Sequence, residues 1–178
     1  MNEVTREEDL DDEASQIKQV FATFGLASYQ GQVLERGLAN VLTVARTDSE
    51  AGTQDDFDDF MVEHLAATMG RLIKLLRPDL AGNEALLVDL AQVLSTRNRV
   101  THRFFREHEL NFLPCTGREQ MLAELMKAAE EFEQMDRRLK PVVSRFLKVR
   151  GLSDQQQKRT IDDEYAKLEG LARQRDDD

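Results

Sequence analysis

The sequence has no tryptophan, three prolines and a single cysteine in 178 residues. The lone thiol, Cys115, excludes an intramolecular disulfide and leaves too few thiols for a cysteine-rich zinc site. His64 and His108 belong to no recognisable metal-ligand spacing, so neither a metal nor a cofactor is expected. Long apolar runs are also missing. None approaches the ~18 residues that a membrane-spanning helix needs. The opening NEVTREEDLDDE is acidic and unlike a secretory or transit signal. These absences predict a cytoplasmic protein with no membrane partner. Alternating β-branched runs are absent too, which removes the usual signature of strands.

Positive charge is scarce. The formal net charge is −10, which argues against broad electrostatic coating of DNA or RNA. The distribution is uneven, however. Arg97, Arg99, Arg103 and Arg106 fall within ten residues that contain no acid, a basic stripe on an acidic body. Such a stripe suits local contact with phosphate. For Arg99, Arg103 and Arg106 alone, a solvated charged face is the simpler reading.

What is present favours helix. Leu, Ala, Glu, Gln and Arg abound, and 40% of residues are hydrophobic against 33% charged. An all-α, up-and-down helical bundle of four to five main helices is the expected fold. Residues 1–12 read as an acidic flexible arm, 13–150 as the bundle, and 151–178 as a C-terminal helix with an acidic tail. Within the bundle a first helix is expected over 13–46, interrupted by Gly25, Gly31 and Gly37, which either bend it or admit a close neighbour. A polar loop (47–54) leads to a second helix that starts at DDFDDF and stops before Pro78. The third spans about 83–109 and is closed by NFLPCTG, with Cys115 in the loop. The fourth starts after Thr116 with a stripe of Met121, Leu122, Leu125, Met126, Phe132, Met135 and Leu139, and Pro141 should kink or split it. Gly151 breaks the chain again, and Ser153 or Asp154 caps a last helix.

The third helix carries the most informative feature. Treated as one helix at about 100° per residue, 86–108 places Leu86, Leu90, Leu94, Thr101 and Phe104 on a common stripe. Arg97 lands in the middle of it. Arginine is rarely buried without a partner. Either the stripe faces another surface there, or the guanidinium serves a purpose. Asn98 and His102 lie one turn apart at the stripe's edge. Arginine followed five residues later by histidine is a weak signal alone, since Arg103 and His108 repeat it. The asparagine directly after Arg97 narrows it.

Arg97-Asn98-Arg99-Val100-Thr101-His102 resembles the R-x(4–6)-H motif of the HEPN superfamily, and the helical chain around it (about 15–150) is similar in size and composition. The resemblance implies a bundle that forms a homodimer around its motif helices. It further implies a metal-independent endoribonuclease, often a toxin or a phage-defence component with an antitoxin or regulatory partner. In that picture Arg97, Asn98 and His102 are catalytic and Arg99, Arg103 and Arg106 hold the RNA. Arg97 and His102 stand about 140° apart on one helix, so a two-fold partner would help bring them to one phosphate. His102 would act as general acid or base, Arg97 would neutralise charge on phosphorus, and a 2′,3′-cyclic phosphate would result. One branch of the family carries a tyrosine two residues after the histidine. This chain has Phe104 there, so that branch's mechanism does not transfer. The alternative is an inactive HEPN-like module for protein interaction or nucleotide binding. For Arg97 the structural reading is an ion pair with an acid on a neighbouring helix, Glu35 or Glu63; for His102 it is an ordinary surface histidine.

Overall fold

The computed structural model describes residues 3–46, 64 and 67–149, with side chains from residue 12 onward. Five helices and no strand occur among these residues: α1 (Glu3–Arg46), α2 (Met69–Leu76), α3 (Glu84–His102), α4 (Phe104–Glu107) and α5 (Cys115–Val149). The all-α expectation holds. The C-terminal helix expected over 153–171 and the loop at 47–54 lie outside the described residues.

Two long rods set the frame. At 1.5 Å per residue α1 is about 66 Å long and α5 about 52 Å. They run side by side in the same direction, since Gln16 meets Arg118, Gly31 faces the Phe132 ring and Gly37 faces Asp136 and Leu139. The glycines at 31 and 37 therefore mark the seam where α5 approaches α1. Helix α1 starts at Glu3, rather than near residue 13, and is continuous through Gly25. Helix α3 runs antiparallel to both, with Asp89 paired to Arg138, Thr96 bonded to Glu131 and Arg97 beside Gly31. The core is the shared interior of Leu34, Leu38, Leu42, Leu72, Leu76, Leu90, Met121, Leu125, Phe132 and Leu139, all nearly inaccessible.

Other elements also differ from the sequence expectation. The second helix does not run unbroken to Leu76. Thr68 is extended (φ −69°, ψ 153°) and its hydroxyl caps a fresh start at Met69 by accepting from the Arg71 N–H. The third helix ends at His102, because Arg103 leaves the helical region (φ −131°, ψ −17°) before the short α4. This break turns Phe104 into the core, where its ring packs against Phe24, Phe105 and His108. It also shifts the buried stripe of α3 to Leu86, Leu90, Val93 and Val100, leaving Thr101 exposed. Finally, α5 passes through Pro141 without splitting. Both Pro141 and Arg137, whose carbonyl would have accepted the missing N–H, are exposed, on a side of α5 where solvent can take the place of that donor. On the same helix Met126 is 55% exposed and is not part of the core stripe.

At the foot of the bundle Arg118 is only 4% exposed. Its guanidinium donates to the Leu113 and Phe112 carbonyls (2.6 and 3.1 Å), to Gln16 Oε1 (3.0 Å) and to Glu13 Oε1 (3.4 Å). The turn before α5 is thereby tied to α1. Cys115 is the first residue of α5 rather than a loop residue, exposed, with Sγ 3.1 Å from Gln16 Nε2.

Candidate functional site

The motif sits on the last turns of α3, where the helix crosses α1 and the start of α2. Arg97 lies across Gly31, and its Nη2 donates to Glu35 Oε2 at 3.2 Å. Both side chains are about one-fifth exposed, so the pair is largely shielded. The other carboxylate oxygen of Glu35 accepts the N–H of Met69, the first residue of α2. One carboxylate thus joins three helices, meeting an orphan helix-start donor and a guanidinium at once. Of the two acids that the sequence offered as partners for Arg97, Glu35 is the one engaged; Glu63 lies outside the described residues.

Asn98 turns back on its neighbour. Its Oδ1 accepts from Arg97 Nη1 at 3.3 Å, which fixes the second edge of the guanidinium. His102, the last residue of α3, is exposed and makes no hydrogen bond or ion pair among the described residues. The structure therefore brings Arg97 and Asn98 together and leaves His102 apart. Arg97 is aimed between α1 and α2, whereas His102 shares the outer face of α3 with the exposed Glu84, Val88, Ala91 and Ser95.

The basic stripe is largely compensated by acids distant in sequence or just beyond it. Arg99 donates to Glu124 (2.5 Å) and to Glu107 (2.6 Å), and Arg103 pairs with Glu107 at 3.6 Å. Only Arg106 of the three predicted RNA contacts is exposed and without an ion pair among the described residues. The hydrogen bond from Arg99 to Glu124, then that to Glu107, raise the arginine above its ordinary value. At Glu124 burial pushes upward, but the Arg99 hydrogen bond and charge, with His108 alongside, outweigh it and hold the carboxyl below its ordinary value. His108 is 5% exposed and structural: Nε2 lies 3.3 Å from Glu124, and Nδ1 lies 3.1 Å from the Asn111 amide. His64 is likewise buried, with Nδ1 2.9 Å from the Thr43 hydroxyl.

Beside the Arg97–Glu35 pair a cavity of about 340 Å³ opens between α1 and the start of α2. Gln32, Glu35, Arg36, Thr68, Leu72 and Arg97 contribute to its wall. No group of histidine, cysteine or carboxylate side chains capable of holding a metal occurs among the described residues. No described helix is long and apolar enough to cross a membrane. The sequence reading missed Arg36, Gln32 and Thr68, which come together only through the crossing of α1 and α2. Arg36 is visible in sequence solely as the neighbour of Glu35. Comparison with protein-family models, with curated proteins and with solved structures gives no match.

Proposed function

We propose that the chain is a HEPN-like helical module that works by binding, and that one protomer alone holds no RNA-cleaving centre. The single observation that carries this reading is the Arg97–Glu35 ion pair, formed on the side of α3 away from His102. Phosphodiester cleavage without a metal needs a general acid or base and a fixed positive charge within about 3–3.5 Å of the reacting group. Here the guanidinium is compensated by a carboxylate and aimed into the bundle, while the imidazole faces solvent. Arg97 is then first a junction residue that fixes α3 to α1 and α2.

A second reading is favoured by the exposed imidazole. His102 lies on an exposed face with Val88, Ala91 and Ser95, flanked there by Glu84 and by Arg99, whose charge is already met by Glu107 and Glu124. A face of that kind suits a two-fold contact with another copy. In such a homodimer His102 of each protomer would stand near the axis, and the module would be a metal-independent endoribonuclease yielding a 2′,3′-cyclic phosphate.

Two measurements on the purified protein separate these readings. Light scattering gives the oligomeric state, and incubation with RNA in the presence of a chelator gives the activity. The binding reading expects no cleavage, or a trace that persists in His102→Ala. Chelator-resistant cleavage by a dimer that disappears in both His102→Ala and Arg97→Ala would overturn it in favour of the nuclease.

A further inference from the structure

Helix α1 has one long side that stays open to solvent. Between Ala14 and Leu34 the only charged residue is Lys18, in a chain that is one-third charged. A helix face built for water carries charged groups along its length. This one shows Phe21, Leu26 and Tyr29, which are 53, 48 and 61% exposed, with Ala22 and Gly25 among them. Large apolar side chains exposed side by side mark a contact surface. The patch also extends beyond the helix. The Phe21 ring packs against the half-buried rings of Phe105 and Phe112, with centroids 5.5 and 5.8 Å away. Leu113, next to Phe112 in the chain, is 69% exposed.

Spacing and charge together select the occupant. Ser15, Lys18, Ala22, Gly25, Tyr29 and Gln32 alternate steps of three and four residues, the repeat of a two-helix seam, and all six are exposed. The seam is complementary to its own reverse. A two-fold axis across α1 between Thr23 and Phe24 sets Ala22 against Gly25 of the partner subunit, and Lys18 against Tyr29 of the partner subunit. The smallest residues then meet where the helices cross, and a Cβ added at Gly25 would find no heavy atom within 4 Å. The single ammonium meets an aromatic ring, which attracts it. Two chains of net charge −10 repel wherever acids face each other. A stretch with no carboxylate from residue 14 to 34 is where they approach without that repulsion. A basic partner would need acids here, and an acidic one more than a lone lysine.

We infer that α1 docks antiparallel on α1 of a second copy of this chain, through the exposed seam from Ser15 to Gln32. This is not the motif-helix contact that the resemblance implies. Gly31 and Glu35, which meet Arg97 of α3, lie on the other side of α1, so the two motifs stay apart in such a dimer. The inference goes beyond the binding reading and does not depend on it. A seam of about 25 Å is at the small end of specific interfaces, so monomer and dimer should exchange with concentration.

Sedimentation velocity of the full-length protein tests this, with a dimer dissociation constant expected within about 1–200 µM. Gly25→Glu and Leu26→Glu should each raise that constant at least about tenfold, since each sets a carboxylate against its symmetry copy. Both positions are exposed and glutamate favours helix over glycine, so Gly25→Glu should not lower the melting temperature of dilute protein. Ala91→Glu, on the outer face of α3, should leave the dimer intact. Tyr29→Lys should weaken it, and Lys18→Glu added to Tyr29→Lys should restore it, because only the antiparallel register sets position 18 against position 29. The inference is overturned by protein that stays monomeric throughout the range, by a dimer that survives both seam glutamates, by one that Ala91→Glu disperses, or by failure of the charge pair to rescue. None of these outcomes bears on the binding reading, which the RNA assay decides.

Discussion

At the scale of single residues, Arg97 and Gly117 show how much a position can depend on one neighbour. Arg97→Ala removes the one cation paired with Glu35 among the described residues, yet the largely buried Glu35 still holds the Met69 N–H. Stranding a shielded carboxylate costs more than the ion pair itself contributes, so a loss of about 1–3 kcal/mol is expected. Urea unfolding followed by far-ultraviolet dichroism measures it; a change under about 0.5 kcal/mol would put Arg97 among ordinary surface residues. Gly117, buried in the first turn of α5, touches the Asn111 backbone so closely that any Cβ there would overlap the carbonyl. Backbone cannot swing aside as a flexible side chain does. Gly117→Ala should therefore cost about 2–3 kcal/mol through overpacking, visible as a lowered melting temperature. The motif itself was legible in sequence as an arginine out of place on an apolar face. Its partner was legible only as one of two candidates, because deciding between Glu35 and Glu63 requires the crossing angle of α1 and α3. Arg118 was missed altogether: its partners Glu13 and Gln16 lie about a hundred residues away in sequence, beyond any helical periodicity.

At the scale of elements, charge pairing decides how α3, α4 and α5 meet. Arg99 bridges Glu107 after the Arg103 break and Glu124 on α5, with His108 beneath. The Glu124 carboxyl is held below its ordinary value of 4.5 when folded, so the unfolded chain takes up that proton first as acid is added. Its stabilisation is complete above 4.5 and fades as pH falls through the lower folded value. Glu124 is more than one-third exposed, which limits the contribution to under about 1 kcal/mol. Chemical denaturation of wild type and Glu124→Gln across the acid range should show a difference that is largest near neutrality and closes below 4.5. A gap that stays constant with pH would mean that the carboxyl charge is not what matters. Helix existence was well marked by periodicity, but helix ends were not. The α3–α4 break at Arg103 has neither proline nor glycine to announce it; it is imposed by packing of Phe104 between Phe24 and His108. Conversely Pro141, a strong local breaker, lies on a solvent face where the unpaired carbonyl costs little.

At the scale of the whole molecule, two parallel rods, α1 and α5, meet directly along a core, and α3 packs antiparallel against both. Composition was enough to foresee an all-α chain, because abundant Leu, Ala and Glu without β-branched alternation leave few other ways to bury apolar surface. It was not enough to foresee the cavity, which belongs to no single element. Gln32 and Arg36 stand on consecutive turns of α1, Thr68 precedes α2, and Arg97 is on α3. Only their convergence makes the donor-rich wall.

Sharing Glu35 between α2 and α3 has a mechanical result. Displacing the Glu35 side chain would release the Met69 N–H and the Arg97 guanidinium together, so the start of α2 and the seat of α3 on α1 hinge on one glutamate.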